Sequence, residues 1–221
     1  MQIAIALYEG LTVLDAVGPY QVLTRVPGAE VVVVAAARGR LSDDLDLLHF
    51  DIEHTFDEVP RPDVLVVPGG MMTRLILRDG HPIVDWVRKA HEHTTWTTSV
   101  CTGSLVLGAA GVLDGLEATT HWCSLEKLRD YGATPTLQRV VVQGKVITAA
   151  GVSAGIDMAL RLAIELAGVE VAQAIQLAIE YDPQPPLDAG SPAKAPPEIT
   201  ELVRQIVTAN EAEILGQQNR G

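Results

Sequence analysis

The chain has 221 residues, 48% of them apolar, and a formal net charge of -12, which suits one domain with a large core. The net charge is acidic and the sequence contains no basic run, so we do not expect a nucleic-acid partner. Two cysteines, Cys101 and Cys123, do not make a disulfide framework, which predicts a reducing, cytoplasmic setting. Residues 1–8 do not resemble a signal peptide, and no apolar run approaches the ~20 residues of a membrane span.

The first half of the chain predicts strands that alternate with helices. In chain order, the predictions are a strand at 3–8, a helix after the N-cap Thr12, a strand at 30–37, a loop or edge hairpin at 38–49, a strand at 63–67, a helix at 83–93 and a strand at 95–100. The strands at 3–8 and 30–37 are continuous apolar runs, as in a parallel sheet that is covered on both faces.

The second half continues this pattern. It predicts a helix after Cys101, a short strand at 116–122, a helix at 124–131, a hairpin at 139–148, and helices at 153–167 and 170–181. Residues 182–197 are rich in Pro, Gly and Ala and predict an extended surface segment rather than a second domain. An amphipathic C-terminal helix is predicted at 198–217. Together these elements predict an α/β fold, a three-layer sandwich with a mostly parallel sheet, in a single domain over residues 1–221.

A strand that ends on Cys101 and turns at once into a small-residue helix has the pattern of a nucleophile elbow. The helix N-terminus is expected to lower the pKa of the thiol. The alternative is a small buried core cysteine. Ligand sites in parallel α/β folds lie beyond the carboxyl ends of the strands. We therefore expect Asp15, Gly69, Gly70, Cys101 and His121, which follow or end predicted strands, to converge on one rim.

Five short motifs carry a family resemblance. They are residues 14–19 (LDAVGP), 67–70 (VPGG), 98–104 (TSVCTGS), 118–122 (ATTHW) and 151–157 (GVSAGID). The chain resembles the DJ-1/PfpI superfamily, which is class I glutamine amidotransferase-like and has a flavodoxin-like fold, and within it the isocyanide (isonitrile) hydratases. Protease-like members place His after the cysteine, where this chain has Thr102, and DJ-1-like members place Glu where it has Asp15. Both departures favour the hydratase branch.

The resemblance implies a cofactor-free lyase that adds water to a small isocyanide and releases an N-formamide. Cys101 would be the nucleophile, which forms a thioimidate, and Asp15 the proton donor and acceptor, assisted by Thr102. Backbone N–H groups at Gly70 and Thr102 would hold developing negative charge. The Thr102 hydroxyl is a further candidate partner for Asp15.

Other residues near the motifs have less direct expected roles. The resemblance adds Gly69 and Val152 to the residues that bind substrate and places His121 behind the site. For four of these positions a structural role remains open: Asp15 as a carboxylate at a helix start, residues 68–70 as a tight turn, Thr102 as the first residue of a helix, and His121 as a packing residue or, alternatively, a base beside Cys101.

The resemblance also leaves a second function open. The same motifs occur in the sensor halves of AraC-like regulators, so the alternative is a non-catalytic ligand- or redox-sensing protein that uses the thiol. No Cys/His spacing resembles a zinc site, and no phosphate-binding glycine motif follows a strand, so neither a metal nor a cofactor is expected. Relatives of this type imply a homodimer that acts on a small molecule.

Overall fold

The computed structural model describes residues 1–217. Its strands are β1 (Gln2–Ala6), β2 (Glu30–Ala35), β3 (Gly39–Ser42), β4 (His49–Ile52), β5 (His54–Thr55), β6 (Val64–Val67), β7 (Trp96–Val100), β8 (Glu117–Ala118), β9 (Thr134–Pro135), β10 (Val140–Gln143) and β11 (Val146–Ala149). Its α-helices are α1 (Val13–Leu23), α2 (Thr73–Arg78), α3 (Ile83–His91), α4 (Gly103–Ala109), α5 (Ala154–Ala167), α6 (Val169–Ala178) and α7 (Pro197–Gln217). Two 3-10 segments cover Phe56–Glu58 and Trp122–Tyr131.

The main sheet has seven strands in the order β10-β11-β7-β6-β1-β2-β5. Every neighbouring pair is parallel except β10 and β11, which form the predicted antiparallel hairpin. The apolar residues of its central strands are buried, as expected for a parallel sheet that is covered on both faces: Ile5 of β1 and Leu65 of β6 are at most 1% exposed. The predicted α/β class with a mostly parallel sheet is confirmed.

The strand order creates a switch point between β1 and β6. From β1 the chain crosses to β2 in one direction, and from β6 it crosses to β7 in the other. Because such crossovers are right-handed, α1 and α3 cover opposite faces of the sheet. The loops that follow β1 and β6 therefore run in opposite directions and leave a crevice at the carboxyl ends of these strands. Ligands bind at this position in this class of fold.

Helix α5 approaches the end of β7 unusually closely. A Cβ atom on Gly155 would lie 3.0 Å from Val100 Cγ2 and 3.3 Å from Pro19 Cδ, so glycine allows an approach that a larger residue could make only if these side chains shifted. The contact fixes α5 against both β7 and α1. It thereby brings the N-terminus of α5 next to the turn after β7.

Most predicted elements are present, with ends shifted by a few residues. Of the loop and the edge hairpin predicted for residues 38–49, the structure has a hairpin, in which β3 and β4 pair in a separate antiparallel sheet. The short α2 was not predicted from the sequence. It has no side-chain cap, and only six residues are helical, so the sequence offers little periodicity to detect.

The prediction of a strand at 116–122 is largely wrong. Only Glu117–Ala118 is extended, and it pairs with β9 outside the main sheet. The next two residues make tertiary hydrogen bonds instead: Thr119 N–H donates to Thr148 Oγ1 at 3.0 Å, and Thr120 Oγ1 donates to the Cys101 carbonyl at 2.9 Å. The helix predicted at 124–131 is a 3-10 helix that ends, as predicted, at Gly132.

Backbone contacts divide the chain into two units. The first, Met1–Ile179, contains the sheets and helices α1 to α6. In the second, which begins at Glu180, residues 180–196 form neither helix nor strand, and α7 occupies the predicted C-terminal helix. The single-domain organisation stays a prediction. No helix within residues 1–217 is long and apolar enough to cross a membrane.

Candidate active site

Cys101 occupies the sharp turn between β7 and α4. Its φ angle is 55°, a left-handed conformation that is costly for a residue with a side chain. The surroundings hold the turn: Cys101 N–H donates to the carbonyls of Ala149 and Ala150 at 3.1 and 2.9 Å. The Cys101 carbonyl accepts from Thr120 Oγ1 at 2.9 Å and from Ser104 Oγ at 3.1 Å. These hydrogen bonds maintain a strained conformation at the residue that the sequence predicts as the nucleophile, which fits a nucleophile elbow.

The Cys101 side chain is only 6% exposed. Burial raises the pKa of the thiol above its ordinary value, and the nearby Asp15 carboxylate raises it further. Hydrogen bonds from the backbone N–H groups of Val152 and Thr102 lower the pKa, but they do not offset the burial. The lowered thiol pKa expected from the sequence is therefore wrong for the free protein, because the turn lies under the surface.

Asp15 lies beside the thiol and is completely buried. Burial raises the pKa of Asp15 to about 7, although hydrogen bonds from Gly69 N–H and from the Cys101 thiol lower it. Carboxylate Oδ2 accepts the Gly69 N–H at 2.9 Å. The other oxygen, Oδ1, has no protein hydrogen bond of good geometry within residues 1–217. It is thus available to a proton, a water or a substrate atom.

Asp15 and Cys101 act electrostatically as a pair. A negative charge on either residue makes ionisation of the other less favourable, and burial opposes both charges. At neutral pH the pair therefore retains at least one proton. A nucleophile and a carboxyl group that share a proton can transfer it to a reacting molecule and take it back.

The N–H groups of Gly69, predicted to bind substrate, and of Gly70, predicted as an oxyanion donor, already make hydrogen bonds. The Gly69 N–H is bonded to Asp15, so Gly69 orients the carboxylate instead of holding a substrate oxygen. The Gly70 N–H donates to Thr102 Oγ1 at 3.0 Å. The Thr102 hydroxyl contacts Gly70 and Thr73 and does not bond Asp15, which corrects the partner considered from the sequence.

Sequence reasoning missed a buried chain of hydroxyl groups behind this turn. Tyr8 OH donates to the Pro68 carbonyl at 3.1 Å and lies 2.9 Å from Thr73 Oγ1. Thr73 Oγ1 donates to the Gly70 carbonyl at 2.7 Å and lies 2.8 Å from Thr102 Oγ1. The only signal in the sequence was a tyrosine at the end of a buried apolar run, where its hydroxyl needs a partner.

His121 lies near the site without reaching the sulfur. Its ring packs so closely on Gly151 that a Cβ atom there would lie 2.9 Å from His121 Cδ2. His121 Nδ1 accepts the Cys123 N–H at 3.4 Å, and burial lowers the pKa of the imidazole, which favours its neutral form. It makes no hydrogen bond to Cys101. The position fits packing behind the Gly151–Val152 backbone, which supports the thiol from one side.

We found no evidence for a metal centre in the part of the chain that the structure describes. No group of three or more His, Cys, Asp or Glu side chains within residues 1–217 is arranged to hold a metal ion.

Comparison with known proteins agrees with this geometry. The family model described as "DJ-1/PfpI family" matches residues 1–165. The chain is 42% identical to an isonitrile hydratase from Pseudomonas putida, over 93% of this chain and 89% of that protein. A crystal structure of a THiJ/PfpI family protein from Pseudomonas syringae superposes with a TM-score of 0.90 at 37% identity, over 95% of this chain and 87% of the other.

A third relative shares the fold alone. The crystal structure of an AraC family transcriptional regulator from Pseudomonas putida has a TM-score of 0.71 but only 19% identity, over 80% of this chain and 98% of the other. The resemblance inferred from the sequence motifs is confirmed by the family match and the hydratase relative. This chain belongs to the DJ-1/PfpI family.

Proposed function

We propose that this protein is a cofactor-free lyase that adds water to a small isocyanide and releases the corresponding N-formamide. One observation carries the proposal: a buried Cys101–Asp15 pair that retains a proton, beside the switch point of the sheet. The 42% identity to an isonitrile hydratase supports this choice among thiol reactions. Asp15 and Thr102 also replace the residues typical of the DJ-1-like and protease-like branches.

The first step forms a carbon–sulfur bond. The Cys101 sulfur attacks the terminal carbon of R–NC, and the proton retained by the pair moves through Asp15 to that carbon. The product is a thioimidate, R–N=CH–S–Cys101, which contains every atom of the isocyanide and of the thiol. The Asp15 oxygen without a protein partner, Oδ1, is available for this transfer.

The second step uses water. Asp15, now a carboxylate, takes a proton from a water that attacks the thioimidate carbon and passes it to the nitrogen, which gives the adduct R–NH–CH(OH)–S–Cys101. The C–S bond then breaks, the second water proton moves from the adduct hydroxyl through Asp15 to the sulfur, and the formamide R–NH–CHO leaves. The Thr102 and Val152 N–H groups stabilise negative charge on the departing sulfur, since both already contact it. Gly70 N–H can join them only by releasing the Thr102 hydroxyl.

The test is formamide production from a panel of small alkyl and aryl isocyanides, followed by proton NMR. We expect turnover by the parent protein, none by Cys101→Ala, and a strong reduction in Asp15→Asn. Cys123→Ser is the matched control, since this second cysteine is not part of the pair, and it should retain activity. Absence of turnover across the panel by folded parent protein would reject the proposal.

The sensing alternative has less support. The AraC family structure shares the fold alone, and an HTH-type transcriptional regulator from Pseudomonas aeruginosa is 35% identical over only 41% of this chain. A buried thiol with a raised pKa is also a poor target for oxidation. Peroxide titration followed by mass spectrometry separates the two readings, because oxidation of Cys101 without isocyanide turnover would favour the sensor. The homodimer and the cytoplasmic location stay predictions.

A further inference from the structure

Thr120 is buried against the turn that contains Cys101. It belongs to the short segment between β8 and the 3-10 segment Trp122–Tyr131, and it is only 1% exposed. Its hydroxyl donates to the Cys101 carbonyl at 2.9 Å, across 19 positions of sequence. The preceding residue anchors the same segment to the sheet, since Thr119 N–H donates to Thr148 Oγ1 of β11 at 3.0 Å. Thr120 therefore connects the turn to a part of the chain that is itself held in place.

Ser104 also donates to the Cys101 carbonyl, but from within the turn. This residue lies in the first turn of α4 and donates through its N–H at 3.4 Å and through Oγ at 3.1 Å. Because it follows Cys101 by only three residues, its contacts are local and move with the turn. The Thr120 hydroxyl makes the shortest of these three contacts and comes from a separate segment. It is thus the contact that orients the carbonyl relative to the sheet.

The Cys101 carbonyl shares a peptide plane with the Thr102 N–H. A peptide unit is rigid and planar, and in its trans form the C=O and N–H bonds point in opposite directions. Thr102 N–H donates to the Cys101 sulfur, as does Val152 N–H. A hydroxyl that fixes the carbonyl therefore fixes the direction of the Thr102 N–H as well. Donation to the carbonyl also polarises the peptide unit, which makes its N–H a stronger donor.

We propose that Thr120 is a positioning residue for the nucleophile: its hydroxyl orients the peptide plane between Cys101 and Thr102, so that the Thr102 N–H points at the sulfur. Thr120 acts through this peptide unit and not on the substrate. The N–H stabilises negative charge on the sulfur, both in the thiolate and in the group that leaves the thioimidate. The second of these effects rests on the proposed isocyanide reaction, whereas the first depends on the thiol alone.

The test compares Thr120→Val with the parent, because valine keeps the shape of threonine and lacks the hydroxyl. The measurement is the rate constant for alkylation of Cys101 by iodoacetamide between pH 7 and 10, with Cys123→Ser in every protein so that a single thiol is present. We expect the rate constant to fall about tenfold at each pH, since a weaker N–H contact raises the pKa of the thiol and leaves less thiolate. Thr120→Ser keeps the donor and should restore the parent rate.

Matched variants separate the hydroxyl from packing. Thr119→Val changes the neighbouring buried threonine but keeps the N–H that bonds Thr148, so its alkylation rate should equal that of the parent. Thr120→Ala is a second variant without the hydroxyl, for use if Thr120→Val does not fold, and should also react slowly.

Isocyanide kinetics provide a second readout that depends on the proposed function. In Thr120→Val the kcat for formamide production should fall while KM stays nearly constant, because the residue acts on the nucleophile and not on substrate binding. Alkylation needs no isocyanide, so it decides the proposal even for a parent protein that does not hydrate isocyanides. Parent-like alkylation of folded Thr120→Val or Thr120→Ala would overturn the proposal. So would a Thr120→Ser variant that reacts as slowly as Thr120→Val, since the methyl group and not the hydroxyl would then be responsible.

Discussion

Gly69 N–H donates to Asp15 Oδ2 at 2.9 Å, and this bond joins two buried groups that are 54 residues apart in sequence. It links the segment after β1 to the segment after β6, the two strands that flank the switch point. The Asp15 carboxylate is therefore oriented by the backbone that follows the neighbouring strand. The same glycine is also a point of very close packing. A Cβ atom on it would lie 2.5 Å from Thr102 N and 2.9 Å from Asp15 Oδ2.

Gly69→Ala should damage both stability and activity. The added methyl group cannot fit without moving the Thr102 backbone or Asp15, and overpacking of this kind costs about 1–3 kcal/mol. Urea unfolding and formamide production measure the two effects. Gly190→Ala is the control, because a Cβ atom there meets nothing within 4 Å, and it should match the parent. Parent-like activity in folded Gly69→Ala would show that this packing does not position Asp15.

Asp15→Asn should change how stability depends on pH. In the folded protein the pKa of Asp15 is raised to about 7, from 3.8 in a model carboxyl. Between pH 4 and 7 the unfolded chain has lost this proton while the folded protein keeps it, so stability falls as pH rises. The loss amounts to about 4 kcal/mol and is complete above pH 7. Asparagine cannot ionise, so the variant should gain stability relative to the parent over this range.

Urea unfolding at pH 4.5, 6 and 8 measures this effect. The difference in free energy of unfolding, variant minus parent, should increase from the first pH to the last. Asp51→Asn removes an exposed carboxyl and should show a nearly constant difference. A constant difference for Asp15→Asn as well would mean that Asp15 is ionised throughout this range in the folded protein.

Local patterns were sufficient to predict the frame of the fold. β1 and β6 are central, and their continuous apolar runs are unambiguous because both faces are buried. Gly132 was correctly predicted as a helix end from its residue type alone, and its φ of 74° is the left-handed conformation that glycine adopts easily. By contrast, Thr119 and Thr120 have the composition of a strand, and their tertiary hydrogen bonds to Thr148 and Cys101 override that tendency.

The site was only partly predictable. Asp15 and Cys101 stood in recognisable motifs, and the structure brings them into contact. The direction of the thiol pKa shift could not be inferred, because it depends on burial beneath loops from distant parts of the chain. The contact of Tyr8 with Thr73 joins residues 65 positions apart, so no local pattern signals it.

Tyr8→Phe should lower stability by about 1–2 kcal/mol, because it removes the donor to the Pro68 carbonyl and one partner of Thr73 in a buried region. Turnover should fall by less than tenfold, since Tyr8 contacts no reacting atom and acts through the turn that contains Gly70. Tyr20→Phe alters an exposed tyrosine and should change neither quantity. Equal stability of the two variants would exclude a structural role for the hydroxyl chain.

The free energy of unfolding of Cys101→Gly should exceed that of Cys101→Ala by about 1 kcal/mol. At most positions a glycine variant is less stable than an alanine variant, because glycine makes the unfolded chain more flexible. At Cys101 the φ angle of 55° penalises any Cβ atom, and glycine removes this strain. Both variants lack the sulfur, so their comparison isolates the backbone contribution, which urea unfolding at pH 7 measures. A more stable alanine variant would mean that the turn relaxes once the thiol is absent, and hence that the thiol's own contacts maintain the strained conformation.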